Sequence, residues 1–110
     1  MTEDPPRPVR GIGRDRARQY RLLFRPAALR SLRKLDRKAA ERIKIATEAL
    51  RDDPWPPDAK KLTGLDGLFR IRVGDYRILY IVDDDDAVVR VVLAGHRRDV
   101  YRNIYRGLGR

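Results

Sequence analysis

The sequence predicts an α+β fold of the order β-α-α-β-β-β, in which a helical hairpin packs on one face of an antiparallel four-stranded sheet and a short C-terminal helix follows. Apolar residues recur at helical spacing over residues 26–50, which predicts the helical hairpin. Alternating β-branched and aromatic residues on both sides of Gly74-Asp75, and a β-branched run over residues 87–94, predict strands. An antiparallel sheet of this kind needs an apolar partner on one face, and the helices supply it.

The first 18 residues differ in composition from the rest of the chain. They are rich in proline, glycine and arginine and contain few large apolar side chains. Such a stretch cannot bury enough apolar surface to offset the chain entropy that it would lose on ordering. We therefore predict a disordered basic N-terminal arm over residues 1–18 and one folded domain over residues 19–106.

The N-terminal part of the domain predicts a short strand and the two helices. The strand covers residues 20–24, and Pro26 suits the first turn of a helix because its fixed φ and missing N–H fit that position. Asp36 is the predicted N-cap of a second helix that extends to about Leu50. The prolines within residues 53–58 end that helix. The exposed faces of both helices are highly charged, and we interpret most of that charge as solvated surface.

The C-terminal part of the domain predicts three strands joined by two turns. A Gly-Asp pair is typical of a two-residue hairpin loop, because the primed turns need a positive φ that glycine adopts easily; this places a turn at residues 74–75. Four consecutive aspartates at residues 83–86 form the second turn, and without the glycine and distal glutamate of an EF-hand loop we interpret them as solvated. Gly95 ends the last strand, and residues 97–105 predict the short C-terminal helix.

The two-residue turn determines the register of the first hairpin. Arg72 then lies opposite Arg77, and Arg70 lies opposite Leu79, so that the three arginines project from one face of the sheet. The other face is the predicted core against the helices and contains Phe69, Ile71, Val73, Tyr76, Ile78 and Tyr80. Like charges directly opposite each other destabilise a strand pair. The arginine face therefore points to a bound anion.

The register of the last strand depends on the aspartate turn. If that turn pairs Val82 with Ala87, Arg90 lies opposite Leu79 and joins the arginine face. Continued alternation then places His96 on the same face. The prediction is a basic patch with one histidine at its edge, followed at once by Arg97, Arg98, Tyr101 and Arg102.

Composition narrows the function. There are 26 Lys+Arg against 16 Asp+Glu, and the net charge of +10 favours a polyanionic partner, most commonly nucleic acid. The absence of cysteine excludes disulfides, thiolate metal sites and thiol nucleophiles, and one histidine without ligand-spaced carboxylates predicts no metal and no cofactor. No stretch approaches the roughly 18 apolar residues of a spanning helix. Because the N-terminus lacks the apolar core of a secretory signal, we predict a cytoplasmic protein.

The predicted basic face suggests chemistry on phosphate groups. Guanidinium groups bind phosphate bidentately and stay charged at physiological pH, and a nearby tyrosine can stack on a base or exchange a proton. This combination suits cleavage of an RNA phosphodiester, with arginines stabilising the phosphate and an acid–base pair serving the 2′-hydroxyl and the leaving 5′-oxygen. Residue types and spacing alone leave two hypotheses open, a nuclease and a non-catalytic module that binds nucleic acid.

Four motifs resemble the RelE/ParE toxin superfamily, and most of all the RelE-type mRNA interferases of bacterial toxin–antitoxin systems. They are YRLLFRPAAL at residues 20–29, KLTGL at residues 61–65, FRIRVGDYRILY at residues 69–80 and GHRRDVY at residues 95–101. The resemblance implies a small cytoplasmic toxin that enters the ribosomal A site and cuts mRNA, and the lack of metal ligands in the sequence predicts that the cleavage is metal-independent. It also implies a cognate RelB-like antitoxin as partner.

The resemblance implies roles for individual residues. Arg77 and Arg97 match arginines that stabilise the phosphate, and Tyr101 matches a late tyrosine that stacks on the mRNA base or assists proton transfer. Together with the predicted basic face, the match predicts catalytic roles for Arg72, Arg77, His96, Arg97 and Tyr101. RNA contacts are predicted for Arg70, Arg90, Arg98, Lys60 and Lys61.

The chain departs from the RelE pattern at two positions of this face. That pattern has lysines where this chain has Arg70 and Arg72. A lysine crowded by positive charge can lose its proton and act as a base, whereas an arginine, with a pKa above about 12, cannot readily do so. We therefore expect the base to be Tyr101 or His96, a residue type whose unperturbed pKa is about 6.5.

The ParE branch of the same superfamily is the alternative. It shares the fold but poisons DNA gyrase rather than cutting RNA, and motifs like those quoted above occur in both branches. The strand arginines favour the RelE branch. Both branches imply an antitoxin partner, and a non-catalytic RNA-binding domain remains the third hypothesis.

Overall fold

The structure, a computed structural model, describes residues 19–64 and 67–102. In those residues the elements are β1 (Arg21–Phe24), α1 (Pro26–Arg33), α2 (Arg37–Ala49), β2 (Lys60–Lys61), β3 (Leu68–Val73), β4 (Tyr76–Asp83) and β5 (Val88–His96). Residues 100–102 are helical and begin the predicted C-terminal helix. The α+β class with a helical hairpin is confirmed, whereas the predicted arm over residues 1–18 lies outside the described residues.

The sheet differs from the prediction in strand number and in one pairing. The five strands lie in the order β1-β5-β4-β3-β2, and β1 pairs with β5 in parallel while the other pairs are antiparallel. The additional strand, β2, consists of two adjacent lysines, which show no strand periodicity in the sequence. The parallel pair arises because the helical hairpin takes the chain away from β1 and the β3-β4-β5 meander returns it beside β1.

The helix boundaries follow the predicted end signals. Pro26 occupies the first turn of α1. The Asp36 side chain accepts a hydrogen bond of 2.8 Å from the Ala39 backbone N–H and so caps α2. A cap of this kind stabilises a helix by about 1 kcal/mol. Neither helix, nor any other in residues 19–64 and 67–102, is long and apolar enough to cross a membrane.

The main core lies between the helices and the predicted apolar face of the sheet. Its buried members include Ile43 of α2 together with Ile71, Ile78 and Tyr80 of the first hairpin. The hydroxyl of Tyr80, which is 0 % exposed, donates a 2.8 Å hydrogen bond to the Pro54 carbonyl and fastens the proline-rich loop to the sheet. Burial raises the pKa of the Tyr80 hydroxyl far above its ordinary value, and the nearby Asp58 and Asp53 carboxylates raise it further.

A second, smaller apolar cluster covers part of the opposite face. Its buried members are Leu68, Leu79, Val92, Leu93 and Val100, and Ala27, Leu62, Ile81 and Tyr101 pack against them. The start of the C-terminal helix thus lies over the same sheet face as the strand arginines. As a result, the arginine face is open toward the Gly74-Asp75 turn and covered farther along the strands.

The predicted register of β4 and β5 is wrong. Val82 pairs with Val89 rather than with Ala87, and Arg90 consequently lies opposite Ile81. The turn keeps four residues but is shifted by one position along the chain, so that Asp83 pairs with Val88 and Ala87 lies in the loop at a φ of 55°.

A β-bulge adds a second shift within β5. Leu79 pairs with Leu93 and Tyr80 pairs with Val91, so that Val92 has no partner of its own. Because side chains alternate across a strand, one extra residue moves every later side chain to the other face. The bulge therefore reverses the predicted orientation of His96.

Candidate functional site

The Gly74-Asp75 turn organises the exposed arginines. Gly74 adopts a φ of 61°, and a positive φ at the first turn residue alone is the pattern of a type II′ hairpin. The predicted register is confirmed, with Arg72 opposite Arg77 and Arg70 opposite Leu79. The like-charged pair therefore lies one residue from the turn on each strand.

Arg77 is held against the turn by its own hydrogen bonds. Its Nη1 donates to the carbonyl oxygens of Gly74, at 3.1 Å, and Tyr76, at 3.0 Å. A guanidinium group has five N–H donors in a planar fork. The turn carbonyls thus orient the group while most of its donors stay available for a ligand.

The segment after β5 brings Arg97 to the same place. The Arg97 backbone N–H donates a 2.8 Å hydrogen bond to the Asp75 carbonyl, which fastens this segment to the hairpin turn. Arg97 and Arg98 are both exposed. We call the group of Arg72, Arg77 and Arg97 around the turn the arginine cluster. None of its members forms an ion pair with a carboxylate of the described residues.

His96 lies on the opposite side from its predicted position. It pairs with Tyr76, on the helix face of the sheet, and the two rings meet edge to face with centroids 5.9 Å apart. Its Nδ1 accepts a 3.2 Å hydrogen bond from the Arg98 backbone N–H. This bond assigns the neutral imidazole proton to Nε2. His96 therefore stabilises the turn that positions Arg97 rather than facing the arginines.

Arg70 and the two lysines of β2 lie farther from the turn. Arg70 is half-buried, and its Nε is shielded from solvent with no hydrogen-bond partner in the described part of the chain. Lys60 lies opposite Arg70 and shares its face, whereas Lys61 lies opposite Phe69 on the helix side. Of the two predicted lysine contacts, only Lys60 is on the arginine face.

Arg90 is on the arginine face but away from the cluster. Its partner Ile81 is four residues along β4 from Arg77, or about 13 Å at the usual rise of a strand. There Arg90 lines an open cleft of about 600 Å³ together with Leu23, Phe24, Arg25 and Pro26. The structure therefore separates Arg90 from the residues with which it was grouped.

Tyr101 packs partly buried against the second apolar cluster. It lies over the same sheet face as Arg72 and Arg77, as the predicted site requires. Its neighbour Val100 is fully buried and anchors the helix start to the sheet. Tyr101 is thus positioned by packing.

One arginine near the turn belongs to a helix that the sequence assigns to solvated surface. A Cβ atom built on Gly74 would lie 3.0 Å from Nη2 of Arg42, so that the Arg42 side chain reaches from α2 to the hairpin turn. Arg42 is exposed. No sequence signal identifies it, because the contact depends on how α2 crosses the sheet.

The chain matches a family and several solved structures. A family model described as "ParE toxin of type II toxin-antitoxin system, parDE" matches residues 22–101. The toxin RelG of Mycobacterium tuberculosis is 34% identical over 84 residues, which cover 76% of this chain and 97% of RelG. The toxin–antitoxin complex RelBE2 of M. tuberculosis contains a chain with 32% identity and a TM-score of 0.64, and the match covers 72% of this chain and 99% of that one.

The isolated RelE toxin of Escherichia coli has the same architecture at 29% identity. Its TM-score is 0.63, and the match covers 81% of this chain and 98% of that one. The residues 22–101 that the family model matches include both helices and strands β3 to β5, and they contain all three residues of the arginine cluster. The chain therefore belongs to the RelE/ParE superfamily of toxins of type II toxin–antitoxin systems.

Proposed function

We propose that this toxin is a ribosome-dependent, metal-independent endoribonuclease that cleaves mRNA in the ribosomal A site. The observation that supports it most is the arginine cluster, in which three guanidinium-bearing residues meet at one exposed turn without a carboxylate partner among the described residues. Such a group binds a phosphate that several donors can approach at once.

The proposed reaction is attack of the RNA 2′-oxygen on the adjacent phosphorus. The 2′-hydroxyl gives up its proton, the 2′-O–P bond forms, the P–O5′ bond breaks, and the leaving 5′-oxygen takes up a proton. The products are a 2′,3′-cyclic phosphate and a 5′-hydroxyl. Negative charge builds up on the phosphoryl oxygens in the transition state. Preorganised donors aimed at such charge are commonly the largest contribution to catalysis. Arg77 and Arg97 supply them in this proposal, and Arg72 holds the strand, so that no metal ion or cofactor is needed.

The proposed reaction also needs a group that transfers protons, and the predicted site residues differ in how well they suit this role. A guanidinium group stays charged at physiological pH and is a poor base, so we assign no proton transfer to the arginine cluster. His96 has its Nδ1 bonded to the Arg98 N–H and lies opposite Tyr76 on the helix face, so that it does not face the proposed phosphate. Among the predicted site residues of the described part of the chain, Tyr101 is the group that we assign to stacking on the base or to assisting the transfer.

The proposed protein partner is an antitoxin, as in related complexes, and it would bind at the arginine cluster. Because RelBE2 of M. tuberculosis is a toxin–antitoxin complex and the RelBE structure of E. coli is likewise an intact complex, we propose a cognate RelB-like antitoxin for this chain. An acidic antitoxin segment would neutralise the arginine cluster and compete with RNA. Action on ribosomes places the proposed activity in the cytoplasm.

Toeprinting of translating ribosomes tests the proposal. Added protein should produce new mRNA ends within the A-site codon, and the same protein should leave the mRNA intact when ribosomes are absent. Added EDTA can disrupt ribosomes, so metal independence is tested instead by unchanged cleavage with metal-depleted toxin at constant ribosomal Mg²⁺. Intact A-site codons with a folded protein contradict the proposal.

Gyrase inhibition is the second candidate, because the matching family model describes a ParE toxin. A supercoiling assay distinguishes it, since a gyrase poison inhibits supercoiling at toxin concentrations that leave mRNA intact. Salt-sensitive RNA binding without cleavage and without growth arrest would instead indicate a non-catalytic RNA-binding domain.

A further inference from the structure

We propose that Arg42 of α2 is an additional phosphate-binding residue and that an RNA strand on the arginine cluster continues past the hairpin turn to this helix. The proposal rests on the proposed function, because it takes RNA as the ligand. It adds helix α2 to the proposed RNA-binding surface and assigns to Arg42 a phosphate next to the one that reacts.

The arginine cluster and the surface of α2 that carries Arg42 meet at Gly74. Nη1 of Arg77 lies 3.1 Å from its carbonyl oxygen, and Nη2 of Arg42 lies 3.0 Å from the place that a Cβ would occupy. The dimensions of one residue add only about 3 Å, so that the two nitrogens lie within about 10 Å of each other. Arg42 and Arg77 come from opposite faces of the sheet, and the turn is where both reach one exposed edge.

The helix surface around Arg42 is basic. Arg51, which follows α2, forms an ion pair with Glu48 of that helix at 3.3 Å. Arg42 forms no ion pair with a described carboxylate. The residues next to it on its helix surface are Lys38, four positions earlier, and Ile45, which is 64% exposed. This row has positive charge and no acid, which suits a phosphate backbone.

The absence of a side chain at Gly74 leaves space for the guanidinium group of Arg42. A side chain at Gly74 would meet the guanidinium group at contact distance, so a glycine here serves both the positive φ and the approach of Arg42. The exposed Arg42 side chain therefore lies beside the turn, where it can reach a ligand.

The position of Arg42 predicts its kinetic role. It lies on the far side of the turn from Arg72 and Tyr101, which face the proposed reacting phosphate. A contact to a neighbouring phosphate is made equally in the ground state and the transition state. Loss of such a contact raises KM and leaves kcat unchanged.

Salt-dependent RNA binding tests the proposal. The probe is a fluorescein-labelled single-stranded RNA of 12 nucleotides with a 2′-O-methyl group at each position to prevent cleavage, titrated with the full chain at several KCl concentrations. Each lost phosphate contact should lower the slope of log K against log salt by about 0.7 for a single strand. We expect Arg42→Gln to show this decrease and Arg42→Lys to keep most of the slope. The matched control is Lys44→Gln, which removes one exposed charge from another side of α2.

The outcomes separate this proposal from the proposed function. If Arg72→Gln lowers the slope while Arg42→Gln behaves like Lys44→Gln, the RNA surface stands and the role of Arg42 is overturned. A lower melting temperature of Arg42→Gln with an unchanged slope also overturns it, because that result describes a residue that only covers the turn. Absence of RNA binding by the unmodified chain overturns the Arg42 proposal, and A-site toeprinting then decides the proposed function independently.

Discussion

The two turns that join β3, β4 and β5 differ in length and in how firmly they determine strand pairing. The Gly74-Asp75 turn has two residues, and every predicted pair of β3 with β4 occurs. The aspartate turn closes between Asp83 and Val88 and places Ala87 at a positive φ. A short glycine turn determines the register locally, whereas packing against the rest of the sheet determines the register after a longer polar turn.

The difference between the turns extends to function. The first turn gathers the arginine cluster, with Arg77 bound to its carbonyls and Arg97 attached through Asp75. The second hairpin places Arg90 about 13 Å away along the strand, and its bulge turns His96 to the helix face. We therefore expect loss of function to concentrate at the first turn.

The largest expected effect is that of Arg77→Gln. Removing a preorganised donor to the reacting phosphate should lower the rate of A-site cleavage about 100-fold or more. The measurement is single-turnover cleavage on stalled ribosomes, with a thermal melt to confirm folding. Arg90→Gln is the matched control on the other hairpin. Because Arg90 lies away from the reacting phosphate of the proposal, this substitution should change the rate by less than about threefold. Equal losses in both variants would contradict the comparison.

Next in size is the alkaline behaviour of Tyr80, which pairs with Val91 beside the bulge. Its pKa is raised in the folded state, so its contribution to stability is complete below pH about 10, where the unfolded tyrosine ionises, and is lost as the pH rises further. Above that pH the unfolding free energy should fall by up to about 1.4 kcal/mol per pH unit more for the unmodified protein than for Tyr80→Phe.

Urea unfolding between pH 8 and pH 11 measures this difference between the two proteins. At neutral pH, Tyr80→Phe should cost only about 1 kcal/mol, because it removes the hydrogen bond to the Pro54 carbonyl. Parallel pH curves for the two proteins would show that the hydroxyl is more hydrated than the structure indicates.

A smaller pair of effects compares the turns directly. Gly74→Ala forces a non-glycine residue to a φ of 61° and should destabilise the fold by about 1–2 kcal/mol. Ala87→Gly relieves a φ of 55° and should stabilise it by about 0.5 kcal/mol, since the gain is partly offset by the greater freedom of glycine in the unfolded chain. Chemical denaturation measures both, and destabilisation by Ala87→Gly would show that the alanine side chain has a packing role.

The smallest expected effect is that of His96→Asn. An asparagine side-chain oxygen can accept the Arg98 N–H two residues ahead, as the imidazole does. Cleavage should therefore stay within about threefold of the unmodified protein, with an unchanged pH profile. His96→Ala, which loses the acceptor, should be the weaker enzyme of the two. A large loss in His96→Asn with an altered pH profile would restore the histidine as a proton-transfer group.

Several site residues were predictable because their placement depends on near neighbours in the sequence. Alternation along β3 and β4 placed Arg70, Arg72 and Arg77 on one face, and the turn motif supplied the register. The predicted position of His96 was wrong, because the bulge adds one residue to β5 and the β-branched sequence of that strand contains no signal for it. The sequence did not identify Arg42, because a charged residue on a helix surface shows the same sequence pattern whether it faces solvent or lies beside a turn.

The sequence by itself determined the α+β class, the cap of α2 by Asp36, the first hairpin and the family motifs. Each depends on contacts between residues close along the chain, where periodicity and turn chemistry act directly. The tertiary structure decided the parallel pairing of β1 with β5, the bulge at Val92, the second apolar cluster and the approach of Arg42 to Gly74. These depend on contacts between distant segments, which form only when both apolar faces of the sheet are buried together.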